Sequence, residues 1–247
     1  MADATARGSG GRRIATAIAV LAALGILLAL GTWQVERLFW KEALLADIQQ
    51  RTQAAPVSVS EIERIAATGG DVDYRRMTVT GRFDNSRERH FLATFNGDSG
   101  FYIYAPLVMA DGRIIMVNRG FVPYENKEPE MRVLGQLTDV VTLNGLSRAR
   151  LTGKPSFIVP DNDLKKNVFY WKDLDAMISS TGLDPAKVEP FFMDADRMEI
   201  PGGMPIGGVT IIDLPNNHLQ YAITWYGLAV ALAGIAGVNW WRGRRVP

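Results

Sequence analysis

The fold is decided near the end of the chain by the stretch Leu214-Pro-Asn-Asn-His-Leu-Gln-Tyr-Ala-Ile-Thr-Trp-Tyr-Gly227, which runs into an apolar segment ending at Trp241. Residues 219–241 are long enough for a membrane helix, and their polar Gln220 and Asn239 lie near its ends, where polar groups cost little. Trp225 and Tyr226 mark one membrane interface. The stretch therefore places His218, one of two histidines in the chain, at the mouth of a membrane helix.

A second apolar run lies near the start of the chain. Residues 14–33 carry no charge, and a helix of this length spans roughly 30 Å, the thickness of the hydrocarbon core. A cleaved signal peptide is the alternative, but the run is long for a signal core, and Trp33 and Trp40 resemble interfacial anchors. Small residues would let the two spans approach closely as an antiparallel hairpin: Gly25, Gly31, Gly227, Ala231 and Gly234.

Positive charges lie outside both spans, with Arg12 and Arg13 before the first and Arg242, Arg244 and Arg245 after the second. The positive-inside rule then puts both termini in the cytoplasm. We expect a multi-pass protein of the bacterial inner membrane with a periplasmic central domain. The predicted segments are a cytoplasmic tail (1–13), a first membrane helix (14–33), a periplasmic α+β domain (34–218), a second membrane helix (219–241) and a cytoplasmic tail (242–247).

The central segment changes its hydrophobic period along the chain. Residues 34–50 continue the first helix, and residues 60–68 form a short one. From residue 76 the period is two, which predicts strands at 76–83, 89–95, 101–109, 114–122, 140–144, 157–159, 191–193 and 209–212, with a helix at 167–181. The predicted fold is a membrane protein, a two-helix transmembrane hairpin that carries one α+β domain with a mainly antiparallel sheet.

Composition excludes several classes of function. The chain has no cysteine, which rules out disulfides, thiolate metal sites and a thiol nucleophile. Residues 34–218 hold 21 basic and 25 acidic residues, and this acidic balance argues against nucleic acid as a partner. No phosphate loop, nucleophile elbow or paired catalytic acid and base is present. We therefore expect a protein that is not an enzyme.

The residues around His218 suggest a ligand site. An α-helix turns by 100° per residue, so His218, Tyr221 and Trp225 lie on one face of the second span. Trp33 and Arg37 share a face at the outer end of the first span. In a hairpin these ends meet, which offers an imidazole for iron, aromatic walls and a guanidinium for carboxylates, as haem requires. The alternative is a histidine that merely hydrogen-bonds a loop carbonyl at a helix start.

Two other features favour structural roles. His90 is interpreted as a surface or half-buried residue of a strand. In Val117-Asn-Arg-Gly-Phe-Val-Pro123, Gly120 is expected to allow a bulge, and Arg119 to pair with a carboxylate inside the fold.

Four motifs together resemble one family. Leu30-Gly-Thr-Trp-Gln-Val-Glu-Arg-Leu-Phe-Trp-Lys41, Val117-Asn-Arg-Gly-Phe-Val-Pro123, Phe169-Tyr-Trp-Lys-Asp-Leu174 and Pro215-Asn-Asn-His-Leu-Gln-Tyr-Ala-Ile-Thr-Trp-Tyr-Gly227 are similar to those of the Surfeit locus protein 1 family. The likeness covers residues 30–241 in order, with two spans around one outside domain. One departure is mild: Phe121 stands where many members carry tryptophan.

The resemblance implies a bacterial assembly factor for the haem-copper (aa3-type) cytochrome c oxidase. It implies transient binding of haem a, with the family histidine at His218 as the iron ligand, and delivery to the largest oxidase subunit. The tryptophan and arginine of the first motif fall on Trp33 and Arg37. Expected partners are that subunit, the enzyme that makes haem a, and the lipid bilayer. A membrane scaffold that stabilises the subunit without binding haem is the second reading.

Overall fold

A computed structural model describes residues 4–212 and 214–243 of the chain, and the predicted basic residues Arg244 and Arg245 lie outside them. The chain divides into two compact units. Residues 1–47 and 213–247 belong to a helical unit, and residues 48–212 form a sheet-rich unit.

Two long helices dominate the helical unit. Helix α1 is Ala4–Gln53, and the last helix, α4, is His218–Gly243. Both are long and apolar enough to cross a membrane, and only 6% and 11% of their most apolar windows are buried in protein. Such uncovered apolar surface is typical of lipid contact rather than of a soluble core. At 1.5 Å per residue the 50 residues of α1 reach about 75 Å, so the predicted helical continuation beyond residue 33 is confirmed.

The two helices contact each other through small residues. Ala222 and Ala229 of α4 are buried, and Gly31 of α1 lies directly against the ring of Tyr226. Gln34 contacts His218, and Thr32, which precedes Gln34, contacts Tyr226, which follows His218. The two helices are therefore antiparallel. Of the glycines expected at this interface, Gly25, Gly227 and Gly234 face open space. Ala231, expected at the same interface, is exposed, so the buried Ala222 and Ala229 take the place of most of the expected small residues.

The sheet-rich unit contains seven strands and two short α-helices within the described residues. The strands are β1 (Val57–Ser58), β2 (Arg76–Phe83), β3 (Arg89–Phe95), β4 (Asp98–Met109), β5 (Ile114–Pro123), β6 (Val140–Ala149) and β7 (Val188–Ala195). The helices are α2 (Val59–Ala67) and α3 (Leu174–Thr181). The side chain of Ser58 caps α2 by accepting from the Glu61 amide, and Asp173 caps α3 in the same way from Ala176.

The sheet is a mixed closed barrel, so the prediction of a mainly antiparallel sheet is wrong. The strand order is β1-β2-β6-β7-β5-β4-β3, and a further pairing of β2 with β4 closes the ring. β1 runs parallel to β2, and β7 runs parallel to β5 while it also pairs with β6. β7 follows β6 and α3 in the sequence, but in the sheet it lies between β5 and β6. A sequence pattern of period two shows which residues share a face and does not show which strands pair.

Inward-facing apolar side chains fill two neighbouring cores. The first lies inside the barrel beneath α2, whose Ile62 is fully buried, and includes Met77, Val79, Leu107, Ile115, Val117, Leu143, Phe191 and Met193. The second lies beneath α3 and includes Tyr104, Met116, Phe169, Leu174, Met177 and Phe192. The central strand β5 is buried on both faces, which accounts for its continuous apolar sequence.

Three predicted elements differ from the structure. Residues 157–159 form a turn rather than a strand, with Phe157 92% exposed. Residues 209–212 are irregular. The helix expected from residue 167 begins only at Leu174, because Phe169 is held in extended backbone beside β3: Leu92 donates its amide to the Phe169 carbonyl. Short apolar runs do not distinguish strands from such covering segments.

Candidate functional site

His218 is the first residue of α4, where the chain enters the helix from the Pro215-Asn-Asn segment. The amide of Tyr221 donates to the carbonyl of Asn217 at 3.2 Å, which starts the helix around the histidine. The imidazole is half-buried. Its position at the helix start leaves the ring accessible from one side while the other side lies against α1.

One hydrogen bond defines the orientation of the His218 ring. Its Nδ1 lies 2.7 Å from Oε1 of Gln34 on α1. An amide oxygen only accepts, so Nδ1 carries the hydrogen and Nε2 of the neutral ring keeps its lone pair. Nε2 has no hydrogen-bond partner among the described residues. This is the arrangement of a metal-ligating histidine, whose second nitrogen donates to a fixed oxygen.

A second contact between the helices supports the first. The hydroxyls of Thr32 and Tyr226 lie 3.0 Å apart, and a Cβ built on Gly31 would stand 2.8 Å from the Tyr226 ring. Both contacts lie within one turn of Gln34 on α1, so they limit how the two helices rotate against each other. The orientation of the His218–Gln34 bond follows from this close crossing.

The other predicted site residues lie around this bond but do not touch the imidazole. Trp33 is 53% exposed and Tyr221 is 54% exposed, while Trp225 is half-buried. The Arg37 guanidinium stacks over the ring of Trp40 at 3.7 Å. Within residues 4–212 and 214–243, no hydrogen bond or ring contact joins His218 to Trp33, Arg37, Tyr221 or Trp225. The rings of Trp33, Tyr221 and Trp225 and the Arg37 guanidinium therefore do not contribute to holding the imidazole in place.

Gln34 is the site residue that sequence reasoning missed. It is 8% exposed, and it directly follows the uncharged run that ends at Trp33. A buried amide at the end of an apolar span needs a partner. The signal was therefore present in the sequence: an uncharged polar residue at the same membrane boundary as His218.

The Val117–Pro123 motif has a structural role, as expected, although its contacts differ. Gly120 has φ +127°, and a Cβ there would lie 2.1 Å from the Ile206 carbonyl oxygen. Arg119 is buried, donates to Asn85 Oδ1 at 3.0 Å and to the Gly135 carbonyl, and lies over the Phe83 ring. The expected carboxylate partner is therefore wrong. Burial lowers the pKa of Arg119 to about 10, so it remains charged at neutral pH.

His90 is buried rather than half-buried, because it joins an ion pair inside the barrel unit. Its Nε2 lies 2.8 Å from Glu88 Oε1, and Arg132 binds the same carboxylate through both terminal nitrogens. Burial raises the pKa of Glu88, but the hydrogen bonds from His90 and Arg132 outweigh it and hold that pKa below 4.5. Sequence reasoning missed this cluster because Arg132 lies 44 positions from Glu88 along the chain.

No group of three or more metal-binding side chains of His, Cys, Asp or Glu occurs in the part of the chain that the structure describes. A mononuclear site built wholly from protein ligands is thus not visible there. A single imidazole with a free Nε2 would suit a metal that arrives with its other ligands already in place, as iron in a porphyrin does.

Comparisons with known proteins identify the family. A sequence model of the SURF1 family matches residues 21–230. Surfeit locus protein 1 of Rattus norvegicus is 37% identical over 240 residues, which is 88% of this chain and 72% of the rat protein. The protein of that name from Homo sapiens is 38% identical, covering 82% of this chain and 70% of its own. A SURF1-like protein of Drosophila melanogaster is 32% identical over 88% of this chain. The chain belongs to the SURF1 family.

Proposed function

We propose that this protein is an assembly factor for a haem-copper (aa3-type) cytochrome c oxidase, that it binds haem a transiently and that it assists delivery to the largest oxidase subunit. Oxidase assembly is the role that the family resemblance implies. The haem-binding step rests on the His218 geometry. On this proposal the protein is a chaperone rather than an enzyme, and haem a is its cargo.

The observation that supports haem binding most directly is the free Nε2 of His218. Gln34 holds the Nδ1 hydrogen at 2.7 Å, which orients the ring and increases the basicity of Nε2. Nε2 would hold the haem iron, and the bound haem would supply that metal centre and its planar macrocycle. Attachment through one histidine would suit a carrier, because a cargo has to be released to its acceptor.

The neighbouring residues fit the rest of the cargo. Trp33 and Tyr221 present aromatic surface close to the His218–Gln34 bond, and Trp225 adds more about two turns further along α4. Such surface suits a planar macrocycle. Arg37 lies one helical turn beyond Trp33, and its guanidinium, stacked on Trp40, matches the propionate carboxylates of haem. We assign these four residues to the haem-binding site with His218.

The proposed location is the bacterial inner membrane, with α1 and α4 as spans, both termini in the cytoplasm and the central domain in the periplasm. The charge distribution supports this orientation. The oxidase subunit and the enzyme that makes haem a are the proposed partners, and both would be reached within or beside the same bilayer.

A membrane scaffold without haem is the second candidate. The bond between His218 and Gln34 also satisfies a buried amide at a helix crossing, which a purely structural histidine would do. In that case the residues around it would only hold the helix pair, and the barrel unit would dock the oxidase subunit.

Co-purification separates the two candidates. The full-length protein is expressed with and without the haem a synthesis enzymes, purified, and examined by absorption spectroscopy. We expect a haem a spectrum only with the pathway present, and a Gln34→Leu variant should bind haem about 10–100-fold more weakly because its supporting bond is lost. Gln50→Leu, an exposed position on the same helix, is the control. Wild-type protein that carries no haem under these conditions would favour the scaffold.

A further inference from the structure

The barrel unit carries an apolar turn that the proposed function does not use. Within the connection from β6 to Phe169, the Val159 amide donates to the Ser156 carbonyl at 3.2 Å, which closes a β-turn with Phe157 and Ile158 at its two central positions. Phe157 is 92% exposed and Ile158 is 76% exposed. Small or polar residues normally occupy the centre of a turn, so two large apolar side chains there require another explanation. We call residues 156–159 the Phe157 turn.

The residues that flank the Phe157 turn constrain its backbone. Lys154 Nζ lies 2.6 Å from Asp161 Oδ1, so an ion pair joins the two sides of the loop. Pro155 and Pro160 lie directly before and after the turn, and each fixes its own φ angle. A constrained loop loses less conformational freedom when its side chains enter a second phase or a partner. The two apolar side chains are thus held outward by the local structure.

The connection that carries the turn leaves the sheet and returns to it beside Asp194 of β7. Arg148 Nε, from the end of β6, and Lys172 Nζ, from the residues after the connection, each lie 4.0 Å from this carboxylate. The Thr210 hydroxyl donates to the same carboxylate at 2.8 Å. Thr210 lies close to the end of the barrel unit at residue 212. The connection therefore emerges beside the segment through which the chain continues to α4.

The link from this segment to α4 is short. The barrel unit ends at Ile212, and α4 begins at His218, so the chain between them reaches roughly 20 Å when it is fully extended. α4 is long and apolar enough to cross a membrane. When α4 lies in a bilayer, the base of the connection is therefore tethered near lipid, and such tethering replaces an encounter by diffusion.

The charge of the connection favours an anionic surface. Residues 150–168 contain four basic and two acidic residues, a formal net charge of +2. Lys165 and Lys166 are exposed, and Leu151 and Leu164 add further exposed apolar surface. Exposed apolar side chains among basic ones are typical of segments that lie in the headgroup layer of a membrane, where anionic lipid attracts lysine.

We propose that the Phe157 turn is a lipid-contacting element, which inserts Phe157 and Ile158 into the headgroup layer of the bilayer that α4 crosses. Lys165 and Lys166 contact anionic phospholipid headgroups beside it. The short link to α4 and the positive charge of the connection favour lipid over a protein surface as the occupant. The proposal rests on α4 as a membrane span and is independent of haem binding at His218, so either can fail without the other.

Fluorescence quenching in the full-length protein tests the proposal. Gly153→Cys places a single thiol beside the turn, and a Cβ at this glycine meets nothing within 4 Å. The thiol is labelled with an NBD fluorophore, and the protein is reconstituted in nanodiscs of phosphatidylcholine and phosphatidylglycerol, with or without a nitroxide-labelled lipid. Asp98→Cys, at the exposed start of β4, is the control position. We expect about threefold stronger quenching at Gly153→Cys. Equal quenching at the two positions would overturn the proposal.

A second set of variants shows whether the apolar pair is responsible. Phe157→Ser combined with Ile158→Ser removes the pair at exposed positions, where the fold does not depend on it, and should lower the quenching at Gly153→Cys to the level of the control position. Met131→Ser combined with Val133→Ser makes a matched change at another exposed apolar pair and should leave the quenching unchanged. Undiminished quenching without Phe157 and Ile158 would contradict their insertion.

The composition of the nanodisc tests the role of charge. Nanodiscs of phosphatidylcholine alone should lower the quenching about twofold, and Lys165→Gln combined with Lys166→Gln should give the same loss in anionic nanodiscs. Equal quenching in neutral and anionic nanodiscs would contradict the role given to the two lysines. No lipid quenching at Gly153→Cys, together with a blue-shifted emission in protein co-purified with the largest oxidase subunit, would identify a protein surface as the occupant and overturn the proposal.

Discussion

At the scale of single residues, the functional argument depends on how one imidazole is held. The sequence pattern identified His218 and its face of α4, because helical periodicity determines which residues lie on one side. It did not identify Gln34, because the choice of partner across a helix pair depends on packing that periodicity does not encode. The buried Glu88–Arg132 pair was missed for the same reason, since its two residues are 44 positions apart.

Gly120 is a residue whose identity the backbone dictates. Gly120→Ala should destabilise the protein by at least about 3 kcal/mol, because strain at positive φ costs about 1–3 kcal/mol and the new Cβ would meet the Ile206 carbonyl oxygen. Gly112→Ala is the matched control: φ is +84° and the space around it is open, so only about 1–2 kcal/mol is expected. Urea unfolding measures both, and equal losses would show that the contact with Ile206 is unimportant.

Glu88 predicts a dependence of stability on pH. Its folded pKa lies below 4.5, so the unfolded state binds the proton more readily and stability rises with pH through this range. The contribution is fully present above about pH 4.5 and is lost as the pH falls through the folded pKa. Glu88→Gln should remove this part of the slope and cost about 3–5 kcal/mol at pH 7, because the buried charge of Arg132 loses its partner.

Urea unfolding between pH 3 and pH 7 measures this effect. Glu61→Gln is the comparison, since that carboxylate is partly exposed and pairs with Arg64 at the surface, where an ion pair contributes little stability. A Glu88→Gln variant with the wild-type pH profile would contradict the role given to this ion pair.

At the scale of elements, the helices and most of the strands could be predicted, whereas the pairing of the strands could not. The long apolar runs and the period of two between residues 76 and 122 carry strong local signals. The insertion of β7 between β5 and β6 is decided by burial of apolar side chains on both faces, a property of the assembled sheet. Phe157 and its neighbours form an exposed apolar turn, whose composition does not differ from that of a short strand.

The contact of α1 with α4 predicts a specific sensitivity at Gly31. Gly31→Leu should separate the helices at this level, because even a Cβ would lie 2.8 Å from the Tyr226 ring. Gly25→Leu, at a position on the same helix with open space around it, should have no effect. Because the chain has no cysteine, a pair introduced at Gln34 and His218 can report proximity through a short bismaleimide.

We expect efficient cross-linking in the protein that carries only the introduced cysteine pair and in its Gly25→Leu variant, and a loss of at least half the product in the Gly31→Leu variant. Undiminished cross-linking in Gly31→Leu would mean that this glycine does not set the distance between the helices.

At the scale of the whole molecule, the chain combines a pair of apolar helices with a mixed barrel of 48–212. The proposed orientation gives these parts different surroundings, with the helices in lipid and the barrel unit in the periplasm. The charge at the chain ends supports that orientation, and the labelling of single cysteines tests it.

Single introduced cysteines provide this measurement. Lys154→Cys, in the barrel unit, should react with a membrane-impermeant maleimide in intact spheroplasts, whereas Ser9→Cys, before the first span, should react only after permeabilisation. The cysteine-free wild-type chain is the blank. The reverse labelling pattern would place the barrel unit in the cytoplasm and invalidate the positive-inside assignment.

The central claim is that His218 ligates haem iron through Nε2, and the haem content of a His218→Ala variant tests it most directly. Wild type, His218→Ala and the neighbouring control Asn217→Ala are each co-expressed with the haem a synthesis enzymes, purified and compared by absorption spectrum. The account predicts that Asn217→Ala keeps the haem content and spectrum of the wild type, while His218→Ala loses at least nine-tenths of the haem. Wild-type haem content with an unchanged spectrum in His218→Ala would contradict it.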